Sequence, residues 1–213
     1  MADVMGHAGM AAAAVRYLRS AGAPVAAGPV EALPRPELRA VGDDERAPVD
    51  PAEFRRVLGH FATGVTVVTA RAGDGAEDAG PAGFACQSFA SLSLDPPLVC
   101  FMVGRTSTTW PRIARAGAFC VNVLGAHQGD LCRGFAVSGA DKFAGVVHEP
   151  APVSGSPRLA GAAAWVDCTI HAVHTGGDHL IVVGRVDALG TGGDTPGGED
   201  VPPLLFHKGR FLI

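Results

Sequence analysis

The sequence predicts a mostly β fold, a β-barrel with peripheral helices, for this chain of 213 residues. Roughly seven segments rich in apolar and β-branched residues are typical of strands, whereas about three short segments have helical spacing. Gly176-Gly177-Asp178 links two long apolar segments as a tight hairpin turn, which indicates antiparallel neighbours. Because most of these strands follow one another without an intervening helix, the pattern favours a barrel over an alternating βαβ sheet.

The predicted domain begins with a helix at Asp50. Asp50 is a favourable N-cap, Pro51 suits the first helical position, and Glu53 completes a capping box. Apolar residues then follow at helical spacing: Phe54, Val57, Leu58 and Phe61. We therefore expect an amphipathic helix at the start of the domain.

Downstream of this helix, the chain predicts a series of strands and two further short helices. Residues 71–81 are rich in glycine and acidic residues and predict a loop. The two helices are expected after Pro111 and over residues 128–137. The predicted strands cover residues 63–70, 83–94, 98–103, 118–124, 163–175, 179–189 and 204–206.

Residues 1–49 differ in composition from the rest of the chain. They are rich in Ala, Gly and Pro and contain neither Phe nor Trp. We interpret them as a flexible extension in which residues 11–19 could form one short helix. Asp3 is acidic where a signal peptide would be basic, and Arg16 follows the apolar part, so no signal peptide is expected. The predicted organisation is this extension followed by one folded domain, 50–213.

Composition and charge disfavour two classes of partner. The formal net charge is −4 and the only lysines are Lys142 and Lys208, so the sequence contains no basic stripe for nucleic acid. No apolar run approaches the roughly 18 to 20 residues that span a bilayer. We therefore expect neither a nucleic-acid partner nor a membrane contact.

The cysteines are odd in number and form no CxxC pair. Most of them lie within apolar segments, which is typical of buried free thiols in a reducing compartment. The predicted location is therefore the cytoplasm. The five residues are Cys86, Cys100, Cys120, Cys132 and Cys168.

The stretch Gly83–Pro97, GFACQSFASLSLDPP, carries the strongest indication of a site. Its strand-like part has small hydroxyl residues, Ser88, Ser91 and Ser93, in place of an unbroken apolar alternation. Small side chains let the backbone approach a flat ligand closely, and their hydroxyls can hold polar ring edges. We interpret this stretch as a candidate cofactor-binding wall.

Two other places carry weaker indications of function. The run Thr106-Ser107-Thr108-Thr109 precedes a predicted helix, where hydroxyls and free N–H groups can hold a phosphate. A purely structural N-cap would need only one of these hydroxyls. His179 follows Asp178 at the hairpin turn, where a solvated turn and a functional histidine both remain open.

Several familiar motifs lack the context that their chemistry needs. The glycines between residues 73 and 80 have the wrong spacing for a dinucleotide loop, and no helix follows them. His171 and His174 would point to opposite faces of a strand, so we expect no metal site. The absence of a GxSxG sequence gives a hydrolase little support.

From about Phe54 to the C-terminus, the chain resembles the flavin reductase-like family of split-barrel flavin-binding proteins. The resemblance rests on several motifs in the same order, and it covers about three quarters of the sequence. It implies a split β-barrel of the FMN-binding type, an antiparallel, Greek-key-like barrel. The matching segments are FRRVLGHFATGVTVVTA, GFACQSFASLSLDPPLVCF, TSTTWPRIARAGAFCVNVL, DKFAG, GGDHLIVVGRV and PLLFHKGRF.

The resemblance also implies roles for particular residues. The flavin is expected to lie against the wall formed by Gln87, Ser88, Ser91 and Ser93. Ser107 and Thr108 are expected near the phosphate end, and Asn122 and Phe143 in the lining of the pocket. His179 is the implied contact for the nicotinamide cofactor and the candidate catalytic residue.

The implied reaction is hydride transfer from C4 of NADH or NADPH to N5 of FMN or FAD. The reduced flavin would then leave for a separate flavin-dependent oxygenase, and the reductase itself would be a homodimer. Such chemistry needs close stacking of two rings and no strong acid–base pair. Two alternatives stay open: a flavin-binding protein that only carries flavin, and an enzyme that uses tightly bound flavin on an organic substrate directly.

Overall fold

The computed structural model describes residues 49–73, 80–139, 141–192 and 201–212. Three α-helices are present in this part of the chain: α1 (Pro51–Leu58), α2 (Trp110–Ala116) and α3 (Gly129–Ala136). The strands are β1 (Thr63–Gly64), β2 (Thr66–Ala70), β3 (Ala82–Cys86), β4 (Ala90–Leu94), β5 (Pro97–Gly104), β6 (Ala118–Val123), β7 (His148–Pro150), β8 (Pro157–Leu159), β9 (Ala164–Gly176), β10 (His179–Thr191), β11 (Leu205–His207) and β12 (Arg210–Leu212).

A seven-stranded sheet in the order β3-β2-β6-β9-β10-β5-β4 forms the body of the domain. Every neighbouring pair in it is antiparallel. The two edge strands, β3 and β4, are consecutive in the chain, so residues 87–89 connect opposite edges of the sheet. The sheet therefore curves round until β3 lies near β5, with the rings of Phe84 and Phe101 only 5.9 Å apart. This confirms the mostly β, barrel-like fold with peripheral helices.

Two smaller sheets complete the fold. β1, β11 and β12 form a three-stranded antiparallel sheet, and β7 pairs with β8. The main core lies inside the curved sheet, where the buried rings of Phe101 and Phe119 meet edge to face at 5.2 Å. Burial of each such ring contributes roughly 1.5–3 kcal/mol, which makes this cluster a major source of stability.

The structure differs from the sequence prediction where strands are short. The segment 83–94 was expected to be one strand, but it divides into β3 and β4 around residues 87–89. The strands β7, β8 and β12 were not predicted, because three residues are too few to establish an alternation. The helix expected over 128–137 is a 3₁₀ turn, Ala126–Gln128, followed by α3.

Asp50 caps the first helix as predicted, but Glu53 does not complete a capping box, because its carboxylate accepts hydrogen bonds from Arg56 instead. The Asp50 carboxylate accepts hydrogen bonds from the backbone N–H groups of Ala52 and Glu53 at 2.9 and 3.0 Å. The helix ends at Leu58 with Gly59 as its C-cap, so Phe61 lies beyond it. No residue of α1 is buried, and its apolar residues Phe54 and Leu58 are about half exposed.

Loss of this cap is expected to loosen α1. We expect Asp50→Ala to destabilise the helix by about 1 kcal/mol, because two N–H groups lose their acceptor. Hydrogen exchange of the amides in Pro51–Leu58 should then become about fivefold faster. Asp50→Asn keeps a capping oxygen and is the control; equal acceleration in both variants would contradict the capping role.

Some predictions concern residues outside the described ranges. The predicted extension, 1–49, lies there except for Val49, and so does most of the acidic loop predicted over 71–81. All five cysteines are described, and each is a free thiol. Among the described helices, none is long and apolar enough to cross a membrane.

Candidate functional site

A cleft of about 880 Å³ opens where residues 87–89 cross between the sheet edges. Its walls come from five parts of the chain: β3 with the crossing, the end of β5 with the hydroxyl run Thr106–Thr109, the C-terminal end of α3 with the loop that follows it, the β9–β10 hairpin, and α1. Phe54 and Leu58 of α1 contribute apolar lining, as do Phe84 and Phe135. The curvature of the sheet creates this cleft, because only there do β3 and β5 approach without a strand between them.

The cleft brings together five of the residues predicted from the sequence. Gln87 and Ser88 lie on the crossing, Ser107 and Thr108 follow β5, and His179 begins β10. These residues are far apart in the chain. The pairing of His179 with Gly104 places the histidine next to the hydroxyl run. Their roles toward a flavin stay predictions.

Ser88 holds the two sides of the cleft together. Its Oγ accepts a hydrogen bond from the Met102 backbone N–H and donates one to the Met102 carbonyl, both at 3.0 Å. The pairing of β4 with β5 stops at Ala90 and Cys100. Beyond that point, the Ser88 hydroxyl takes the place of a strand partner for the backbone of Met102. The neighbouring Cys86 is buried, and burial raises the pKa of its thiol despite a contact with Ser88.

The hydroxyl run is partly occupied by helix capping. Ser107 Oγ accepts from the Trp110 N–H at 3.2 Å, and the N–H groups of Arg112 and Ile113 both bond to the Thr109 carbonyl. Pro111 has no N–H. The first helical amides are therefore already occupied or missing. Side-chain hydroxyls such as that of Thr108, which is exposed, are the groups that this end offers to a phosphate.

His179 is oriented by its neighbour in the turn. Its Nδ1 lies 2.8 Å from Asp178 Oδ1, and since a carboxylate can only accept, Nδ1 carries the proton and Nε2 is left for a ligand. The hydrogen bond to His179, together with the nearby charges of His179 and Arg55, lowers the pKa of the Asp178 carboxyl. Arg105 bonds to the Gly177 carbonyl and secures the same turn.

Asn122 lies away from the cleft, contrary to its predicted place in the pocket lining. It is fully buried on β6, and all of its amide bonds stay inside the protein. Its Nδ2 donates to the Val67 carbonyl, to Thr69 Oγ1 and to the Pro157 carbonyl, and its Oδ1 accepts from the Leu159 N–H at 2.8 Å. This amide joins β2, β6 and β8.

Three other predicted residues are also not brought to the cleft of this chain. Ser91 and Ser93 lie on β4, at the outer edge of the sheet, with a bulge between them. Phe143 packs its ring against Phe135 at 5.1 Å, within a second cluster of apolar side chains that includes Leu124 and Leu204. It therefore supports the cleft from behind, through Phe135, which does line it.

The most informative residue that sequence reasoning missed is Lys142. Its ammonium donates to the carbonyls of Phe135 and Gly83 at 3.0 and 3.2 Å, and it lines the cleft. The signal was present in the sequence: Lys142 is one of two lysines in the chain, and it precedes Phe143 in the DKF segment. Only the folded chain shows that it reaches the cleft.

An antiparallel sheet that curves back on itself, with a polar cleft where its edges meet, defines the class of split-barrel flavin-binding proteins. The family model described as "Flavin reductase like domain" matches residues 58–212, and the chain belongs to this family.

Named relatives agree with this assignment. The chain is 46% identical over 163 residues to the reductase subunit HsaB of a flavin-dependent monooxygenase from Rhodococcus jostii, covering 76% of this chain and 77% of that one. It is similar to nitrilotriacetate monooxygenase component B from Mycobacterium thermoresistibile, with TM-score 0.68, 46% identity and coverage of 76% and 84%. It is also similar to the Streptomyces globisporus NADH:FAD oxidoreductase SgcE6 in complex with NAD and FAD fragments, with TM-score 0.67, 38% identity and coverage of 79% and 96%.

Proposed function

We propose that this protein is an NAD(P)H-dependent flavin reductase that supplies reduced FMN or FAD to a separate flavin-dependent monooxygenase. The observation that carries the proposal is the cleft in which the Gln87–Ser88 crossing, the Ser107–Thr108 hydroxyls and His179 meet. Membership of the family and the reductase names of the relatives support it.

The residues of the cleft fit a flavin. Its volume of about 880 Å³ lies within the usual range of small-molecule sites, and Phe84 and Phe135 offer apolar surface to a flat ring. Gln87 and the hydroxyl run offer hydrogen bonds to polar edges. When bound, a flavin would supply the redox chemistry by accepting at N5 the hydride from C4 of the nicotinamide.

The chain itself binds and orients the reactants. Among the described residues that line the cleft, the titratable side chains are Cys86, Lys142 and His179, and none is a carboxylate. A reaction that moves a hydride between stacked rings needs no stronger acid or base. In this proposal His179 positions the nicotinamide, with Asp178 holding the imidazole in one tautomer.

Oxidation of reduced nicotinamide tests this function directly. We expect the protein to oxidise NADH or NADPH only when FMN or FAD is added, with a rate that saturates with the flavin. Absorbance of the reduced nicotinamide is the measurement. Flavin binding without any oxidation would contradict the reductase and support a flavin carrier. Tightly retained flavin that turns over only with an organic substrate would support a dedicated flavoenzyme.

We propose further that the reductase is a homodimer. The apolar residues of α1 and the turn that follows it are widely exposed: Phe54 by 55%, Leu58 by 54% and Phe61 by 76%. Apolar side chains clustered in this way are typical of an interaction surface, and a second copy of the chain would cover them. Light scattering after size exclusion should give twice the chain mass of 21.7 kDa; a monomer at micromolar concentration would contradict the dimer.

A further inference from the structure

We propose that Lys142 is the anion-binding residue of the cleft and that it selects phosphorylated flavins, FMN and FAD, over riboflavin. The inference rests on the proposed function, because it takes the flavin to lie in this cleft. It goes further by assigning the charge that recognises the phosphate to one residue, outside the hydroxyl run.

The charge of the cleft carries the first part of the argument. Within the described lining, Lys142 is the one Lys or Arg side chain, and no Asp or Glu lines the cleft with it. The ion pairs found among the described residues do not include Lys142. A cationic cleft without a carboxylate favours a ligand that brings its own negative charge.

The hydrogen bonds of Lys142 carry the second part. The ammonium donates to two backbone carbonyls, those of Gly83 and Phe135. These bonds fix the ammonium at the side of the cleft, but they use only two of the three N–H groups of the ammonium. Neutral carbonyl partners leave the positive charge uncompensated. The third N–H and the charge are thus available to a phosphate oxygen.

The burial of Lys142 explains why an anion would be bound strongly there. Partial burial lowers the pKa of the ammonium, which means that the charged form is poorly solvated at this position. An ion in such a place gains more from an opposite charge than an exposed one does, because water screens the pair less. Riboflavin has the same ring as FMN without the phosphate, so it cannot use this gain.

The proposal is tested by measuring flavin affinity rather than turnover. Quenching of flavin fluorescence gives dissociation constants for FMN, FAD and riboflavin with the full chain. We expect the unmodified protein to bind FMN and FAD more tightly than riboflavin. In Lys142→Gln, which keeps N–H donors for the two carbonyls but has no charge, FMN affinity should fall about tenfold or more. Riboflavin affinity should change by less than about twofold.

Two further variants separate charge from folding. Lys208→Gln removes the other lysine, which lies in the turn between β11 and β12 and does not line the cleft, so FMN affinity should stay the same. Lys142→Arg keeps the charge and should retain most of the preference for FMN. Thermal unfolding of each variant shows whether the fold is intact.

Three results would overturn the inference. The first is equal affinity of the unmodified protein for riboflavin and FMN. The second is an equal loss of affinity for FMN and riboflavin in Lys142→Gln. That result would mean that Lys142 only links β3 to α3 through its two hydrogen bonds. The third is unchanged FMN affinity in that variant. If the unmodified protein bound no flavin at all, the proposed function would fail, and the inference with it.

Discussion

Replacement of Asn122 by leucine is expected to lower the free energy of unfolding by about 3 kcal/mol. The residue is fully buried, and its amide makes four hydrogen bonds to the protein interior. Leucine has a similar size but no polar atoms. The substitution leaves the Leu159 N–H without this acceptor in a place that water does not reach, and such a group costs about 1–3 kcal/mol, whereas the Pro157 carbonyl keeps its bond from the Thr69 hydroxyl. Chemical denaturation is the measurement.

Gln87→Leu is the matched control, because it also converts an amide to leucine. Gln87 is exposed and lines the cleft. We expect this variant to keep its stability within about 0.5 kcal/mol and to bind flavin more weakly. Asn122→Leu should show the reverse. Under conditions in which this variant is folded, its flavin affinity should stay within about twofold of that of the unmodified protein. If Asn122→Leu lost flavin affinity without losing stability, Asn122 would contact the flavin, and the structural role assigned to it would be wrong.

His179→Ala is expected to raise the KM for NADH or NADPH about tenfold, with little change in the KM for flavin. The imidazole lines the cleft beside Gly104. Its Nδ1 bonds to Asp178, which leaves Nε2 for a contact with the nicotinamide. Removing it takes away one contact with the nicotinamide and leaves the wall at Gln87 and Ser88 unchanged. Steady-state kinetics with each substrate varied in turn is the measurement.

Asp178→Asn separates orientation from contact in the same turn. The variant keeps a hydrogen bond to His179 but loses the charge that favours one tautomer, so the KM for nicotinamide should rise by a smaller factor than in His179→Ala. Equal effects of His179→Ala on the KM of flavin and of nicotinamide would contradict the assignment of His179 to the nicotinamide.

The local features of the fold could be predicted from the sequence because each depends on neighbours in the chain. The cap at Asp50 follows from an Asp directly before Pro51, and its bonds to the N–H groups of Ala52 and Glu53 are present, although the Glu53 side chain bonds to Arg56 rather than completing a capping box. The hairpin at Gly177 follows from two turn residues between long apolar strands, and Gly177 has the positive φ of 66° that such a turn favours. The crossing at residues 87–89, in contrast, was expected to lie within one strand over residues 83–94, because the reversal between sheet edges leaves no turn signal there.

The differences between the predicted site and the lining of the cleft come from contacts that form only in the folded chain. A polar residue on a strand has the same appearance in the sequence whether its face is turned toward a cleft or toward another layer. Asn122 on β6 was expected in the pocket and is instead bonded between strands, whereas Lys142, in the turn after α3, was given no role and lines the cleft. Ser91 and Ser88 are three residues apart, yet they lie on different sides of the point where the sheet edges meet.

The sequence by itself therefore determined the fold class, the family and the segments that supply the site, because alternation, turn chemistry and motif order are properties of the chain. Only the tertiary structure decided which side chains share the cleft. The cleft exists because the antiparallel sheet curves until β3 meets β5, a contact between strands that are not paired in the sheet order. Hydrogen bonds such as Ser88 to Met102 and Lys142 to Gly83 then set its walls.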